Sequence, residues 1–176
     1  MPLTNAHEVF LHALGDIYDA EHRFLEGQQE MVQKATNQSL ENAIQNHIGQ
    51  TEQQIDNLER AFKELGEEPH REPCEASQGL VEEAQHDIEE AQTDTARDAL
   101  IDTAVAKVEH YEIANYRGLI TSARLMGHTQ VVNLLEKNLR QEEEMAQIAE
   151  NSAEELLRKA SQEQGGQDEG PKVSVH

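Results

Sequence analysis

The stretch Val105-Ala106-Lys107-Val108-Glu109-His110-Tyr111-Glu112-Ile113-Ala114-Asn115-Tyr116-Arg117-Gly118-Leu119 decides how this chain is read. Its apolar residues recur at helical spacing, so Val105, Val108, Tyr116 and Leu119 share one broad face. Glu109 and Glu112 fall on that same face, as helical neighbours about 5 to 6 Å apart. A helix that turns two carboxylates toward its own core needs something there to hold them, because an unpaired buried charge is strongly unfavourable.

Working outward, the four prolines (Pro2, Pro69, Pro73 and Pro171) lie at the ends or in one short window, which leaves two long stretches where helices run uninterrupted. In the first, Phe10, Leu14, Ile17, Leu25 and Met31 or Val32 form one stripe, and Asn5 with Glu8 makes a start resembling a capping box. The spacing predicts a helix over residues 5–35. After a turn at Thr36-Asn37-Gln38-Ser39, the series Leu40, Ile44, Ile55, Leu58 and Phe62 predicts a second helix to residue 65, stopped by Gly66. Residues 75–91 carry Leu80, Val81, Ala84 and Ile88 and read as a shorter helix inside a crossover. Thr95 with Asp98 is the expected cap of a third long helix that ends at Gly127, and a fourth runs from Thr129 through Val131, Leu135, Leu139, Ala149 and Leu156. Glycines 15, 27, 49 and 118 inside these helices suggest close helix approaches. No strand pattern competes.

The expected architecture is therefore all-α: a ferritin-like antiparallel four-helix bundle over residues 1–160, with a short extra helix in the crossover between the second and third long helices. Residues 161–176 hold only two isolated valines among Gln, Gly, Asp and Glu, and are expected to form a disordered acidic tail.

Composition narrows the function. Thirty-five acidic against 14 basic side chains give a net charge of -21, which repels phosphate backbones and anionic lipid surfaces; neither nucleic acid nor membrane is an expected partner. No run of 18 apolar residues exists and the N-terminal region lacks a signal-peptide pattern, so the expected location is the cytoplasm. Cys74 is the single cysteine, and no internal disulfide is possible.

The informative residues are the polar ones inside apolar stripes. Glu21 sits between Ile17 and Leu25, His47 between Ile44 and Thr51, and Glu142 between Leu139 and Ala146, so all four long helices present a ligand-type side chain inward. Two residues of an antiparallel pair face each other when they are equally far from the turn. Glu112 lies 15 residues before Gly127 and Glu142 15 after it, whereas Glu21 is 15 before Thr36 and His47 is 11 after. That leaves the first pair offset by about 6 Å at 1.5 Å rise per residue. Two divalent cations would neutralise four carboxylates, and a carboxylate-rich set with one imidazole suits iron or manganese.

The strings Ile17-Tyr18-Asp19-Ala20-Glu21, His47-x-x-x-Thr51, Val108-Glu109-His110-Tyr111-Glu112-Ile113 and Glu142-Glu143-Glu144-Met145-Ala146 are similar to those of the YciE/YciF-type stress-protein family of ferritin-like proteins. The similarity spans about residues 4–158. It implies a cytoplasmic homodimer, induction under osmotic or envelope stress, and a dinuclear iron or manganese site. Carried over by residue, the metal ligands are Glu21, His47, Glu109, Glu112 and Glu142, with Glu109 and Glu112 forming the Glu-x-x-Glu of rubrerythrin-like relatives. Di-iron carboxylate bundles carry a Glu-x-x-His on each of two helices; here Ile44 stands in place of one Glu and Met145 in place of one His. Tyr18 reads as an ordinary core tyrosine, His110 as a residue beside the site or at an interface, Glu143 and Glu144 as a solvated face, and Cys74 as a packed thiol. Two functions stay open: a metal-binding stress protein, whose reaction would be oxidation of bound ferrous iron by oxygen or peroxide, and a metal-free helical interaction or protective protein.

Overall fold

Capping chemistry sets where each helix begins and ends. In the computed structural model, which describes residues 3–165, the order is α1 (Ala6–Lys34), α2 (Gln38–Glu64), α3 (Glu75–Glu90), α4 (Asp94–Leu125) and α5 (Thr129–Gly165). Asn5 caps α1 by accepting the Glu8 N–H at 2.9 Å. The Glu8 carboxylate reaches back one residue further than in a standard capping box, accepting from the N–H and hydroxyl of Thr4, both at 2.7 Å. Asn37 caps α2 through the N–H groups of Ser39 and Leu40.

Both long hairpin helices stop in the same way. Gly66 and Gly127 each have φ +77°, a left-handed conformation that glycine adopts without steric cost. The residue after each glycine donates back into the helix, Glu67 N–H to the Phe62 carbonyl and His128 N–H to the Ala123 carbonyl, which closes the exposed carbonyl ends.

One cap differs from expectation. Thr93, not Thr95, starts α4: its Oγ1 accepts the Ala96 N–H at 3.2 Å. Asp98 is not part of a cap at all. Its carboxylate accepts from the backbone N–H and hydroxyl of Thr36, at 2.8 and 2.7 Å, and so ties the α1–α2 turn to the first turns of α4. Two charge-assisted bonds across 62 residues outweigh one local capping bond. The helix α5 runs on to Gly165, into the stretch expected to be a tail; residues 166–176 lie outside the described residues.

The helices α1 and α2 form one hairpin and α4 and α5 the other, with α3 crossing between them and packing on α1 and α4. Two apolar clusters fill the bundle. One holds Phe10, Leu14, Leu58, Phe62, Leu119 and Leu135, the other Met31, Leu40, Ile44, Ile101, Val105 and Met145. On every long helix the changeover between clusters is marked by buried polar residues: Glu21 and Gln28, His47 to Gln54, Glu109 and Glu112, Asn138 and Glu142. A polar layer therefore crosses the middle of the bundle.

The glycines divide. A Cβ on Gly15 would come within 2.9 Å of Glu72 Cγ and 3.3 Å of the His70 carbonyl, and one on Gly27 would touch Val81 at 3.6 Å, so these two accommodate the crossover. Gly49 and Gly118 meet nothing within 4 Å and are exposed, so they mark no close approach.

The Asp98 clasp gives a direct test. Asp98 is only 4% exposed, and Asp98→Ala leaves two Thr36 donors unanswered, so unfolding free energy should fall by about 2 kcal/mol. The check is the midpoint of urea denaturation at unchanged m-value.

Candidate metal centre

The Asp98–Thr36 clasp supplies a common baseline for α2 and α4, which lie diagonally opposite in the bundle, α2 packing on α1 and α5 and α4 on α1 and α5. His47 lies 11 residues beyond Thr36 and Glu109 lies 11 beyond Asp98, and the two side chains meet: His47 Nε2 is 3.3 Å from Glu109 Oε1. It is also 3.4 Å from Glu142 Oε2 on α5. One nitrogen or oxygen from each of His47, Glu109, Glu112 and Glu142 falls within 4.8 Å of the others, and all four residues are buried.

Glu21 stands just outside this foursome. It lies 15 residues from Thr36 on α1, beside Glu112 at 14 from Asp98 and near Tyr116 at 18. Tyr116 Oη donates a short hydrogen bond to Glu21 Oε1. The offset expected between Glu21 and His47 thus appears as a division of partners: His47 joins Glu109 and Glu142, while Glu21 joins Tyr116. A relay fixes that end of the layer. Asn57 Nδ2 donates to Asn138 Oδ1 at 2.8 Å, and Asn138 Nδ2 donates to Tyr116 Oη at 3.0 Å and to the Gln54 carbonyl at 3.2 Å.

The His47 ring is held from its other side, with Nδ1 2.9 Å from Gln50 Oε1. A Nδ1–H donated to Gln50 aims Nε2 at the carboxylates, the arrangement that orients metal-binding imidazoles. Yet its approaches to Glu109 and Glu142 are too poorly aligned for hydrogen bonds. Glu21 Oε2, His47 Nε2, Glu109 Oε2, Glu112 Oε2 and both Glu142 oxygens are buried without a hydrogen-bond partner. So many orphaned atoms converging on one space are costly unless a cation fills it. The donor set, carboxylate oxygens with one imidazole nitrogen, fits a divalent cation such as iron or manganese. His47, Glu109, Glu112 and Glu142 would hold it, and Glu21 is placed to serve a neighbouring position.

Without a cation, protons take its place. Burial, reinforced by the Glu142 charge, pushes Glu21 and Glu112 well above the ordinary value of 4.5. Burial does the same to Glu109, against the opposing pull of His47. Burial disfavours the His47 imidazolium, but the charge of Glu109 and the nearby oxygens of Glu109 and Glu142 outweigh it, and the ring titrates well above 6.5. Glu142 alone goes down: burial opposes its charge, but the nearness of Glu109 and His47 prevails. Burial thus favours proton retention on Glu21, Glu109 and Glu112, while His47 draws Glu142 toward its charged form. A cation entering this site must displace those protons.

Several residues singled out in the sequence lie elsewhere. Tyr18 donates to Glu59 at 3.1 Å and stacks edge-on to Phe62. His110 is exposed and pairs with Glu150 at 2.9 Å. Glu143 is on the surface with Arg117, and Glu144 is exposed. Cys74 is buried as the cap of α3, with Sγ 3.0 Å from Tyr111 Oη. Ile44 and Met145 are 1% and 3% exposed, so apolar packing occupies the two positions where di-iron bundles carry ligands. Sequence reasoning missed Asn138 and Gln54, both fully buried; each interrupts an apolar stripe, between Leu135 and Glu142 and between Thr51 and Leu58, and that interruption was the available signal.

A four-helix bundle whose mid-layer gathers carboxylates and an imidazole defines the class, a ferritin-like helical protein with a candidate cation site. The profile of a family described as a domain of unknown function (DUF892) matches residues 5–162. Protein YciF of Escherichia coli (strain K12) is 34% identical over 143 residues, covering 81% of this chain and 86% of YciF. Among solved structures, the E. coli stress protein YciF superposes with a TM-score of 0.84 at 30% identity, covering 89% of this chain and 99% of its own. YcfI from Rhodopseudomonas palustris, for which a structural role has been suggested, gives 0.83 at 35% identity, covering 84% and 94%. The chain belongs to the DUF892 family, that of the YciF-type stress proteins.

The proton inventory predicts an unusual pH dependence. Glu21, Glu109 and Glu112 titrate higher in the fold than at 4.5 in the unfolded chain, so their contribution is complete below that pH and is lost as pH rises toward the folded values. His47 adds a loss in the same direction, beginning above 6.5. Glu142 acts oppositely, its contribution being lost only as pH falls below 4.5. The melting temperature of chelator-treated protein should therefore fall as pH rises above the ordinary carboxyl value of 4.5. Glu112→Gln, which cannot ionise, should flatten the fall; an equal slope in that variant counts against the assignment.

Proposed function

We propose that this protein binds divalent iron or manganese, two ions per chain, in its mid-bundle layer and acts in stress tolerance as a YciF-type protein. The observation that carries the reading is the convergence of orphaned, buried atoms from His47, Glu109, Glu112 and Glu142, with Glu21 beside them. Four carboxylates match the charge of two dications. Ile44 and Met145 add no carboxylate or imidazole, so His47, Glu109, Glu112, Glu142 and Glu21 are the residues that would hold the ions.

Bound ferrous iron would supply electrons to dioxygen or peroxide. The protein's own part is to hold the carboxylates without water-exposed competition, to keep His47 oriented through Gln50, and to give up the protons on Glu109, Glu112 and Glu21 as the cation enters. The Tyr116 hydroxyl keeps Glu21 turned toward the layer. Relatedness to a stress protein supports the physiological half of the proposal. A homodimer belongs to the same reading and is checked by light scattering.

The test is elemental analysis of protein purified without chelator, and again after anaerobic ferrous loading. Two iron or manganese atoms per chain are expected. Glu112→Ala should lower the metal content at least about tenfold while the helical circular dichroism stays unchanged. A protein that takes up no metal even on loading overturns the proposal in favour of a metal-free protective bundle, in which protons alone neutralise the layer.

A further inference from the structure

A narrow cleft runs beneath the crossover helix from the surface to the candidate metal centre. Its mouth lies where Gln85 of α3 donates to Glu30 of α1 at 2.8 Å. Its walls are aliphatic, with Gly27 and Met31 of α1 facing Val81 and Ile88 of α3, and Ile44 and Met145 deeper in. It ends at His47 and Glu109. The two residues that replace ligands of the di-iron pattern, Ile44 and Met145, thus line an apolar approach to the edge of the layer that keeps its imidazole.

We propose that this cleft is a binding and access site for dioxygen, leading to the His47–Glu109 side of the metal centre. It rests on the metal-binding reading for its purpose, but the site itself is defined by shape and polarity alone. The cleft volume is about 20 Å³, little more than the ~10–15 Å³ that a single water-sized molecule requires. That size suits a molecule as small as a diatomic. Walls this apolar offer a hydrated cation no replacement for its water shell, and a small apolar cavity stays dry. An uncharged, apolar diatomic is the class of ligand that meets both conditions.

Gly27 is the controlling position. A Cβ there would meet Val81 Cγ2 at 3.6 Å and Cγ1 at 3.9 Å, ordinary contact distances, so alanine fits while a larger side chain must occupy the cleft. Glycine within a helix costs up to about 1 kcal/mol relative to alanine, and this one keeps a passage open between α1 and α3.

The experiment uses dioxygen itself as a paramagnetic probe of the metal-free protein. Methyl-labelled samples are compared by NMR under nitrogen and under pressurised dioxygen. The Ile88 and Met145 methyls and the His47 ring protons should relax several-fold more than the similarly buried Leu58 and Leu135 methyls of the other apolar cluster. Gly27→Leu should abolish that excess, with Gly27→Ala, which fits, retaining a reduced one. Uniform relaxation across both clusters, or an excess that survives Gly27→Leu, overturns the inference. Because no metal is present, this result is independent of elemental analysis: failure here leaves the metal reading intact, and failure of metal loading does not alter what the dioxygen probe reads.

Discussion

The constraint on which the rest of this structure depends is the burial of four carboxyls and one imidazole in a single layer of a helical bundle. Glu21, His47, Glu109, Glu112 and Glu142 are each at most 2% exposed, and among the described residues no lysine or arginine is paired with the carboxylates, which have only His47 beside them. Desolvation on this scale is tolerable only when charge is removed by protons or balanced by cations. The bundle is built so that either can happen. With protons, burial is eased by carboxyls that hold theirs above the ordinary range; with cations, the same oxygens are already gathered.

Placement of the layer follows from elements far from it. Thr36 and Asp98 bring the α1–α2 turn to the start of α4, which sets His47 level with Glu109. The left-handed glycines at 66 and 127 close α2 and α4. Two apolar clusters flank the layer and supply the burial that offsets its cost. The Asn57–Asn138–Tyr116–Glu21 relay links polar side chains from all four long helices on one side of the layer. On the opposite side, under α3, the neighbours are aliphatic, so the layer has a polar end and an apolar one.

The surface extends the same logic outward. A formal charge of -21 creates a field that concentrates cations around the molecule and keeps polyanions away. No helix among the described residues is long and apolar enough to cross a membrane.

The amino-acid sequence by itself determined the helices, their order and the residues of the layer, because helical periodicity, capping residues and proline placement are local properties, and a glutamate inside an apolar stripe is visible one helix at a time. Even the level match of Glu112 with Glu142 was legible, since counting from a turn needs only the turn. What only the tertiary structure decided was how the two hairpins meet. Asp98 looked like a local cap and serves as a long-range clasp; His47 and Glu21, on neighbouring helices, take different partners; Tyr116 reaches a carboxylate of the layer while Tyr18 reaches Glu59 away from it; and Ile44 and Met145, far apart in the chain, line one cleft. Each of these depends on register and rotation between helices, and those are set by packing and hydrogen bonds across the bundle, which periodicity along one helix does not encode.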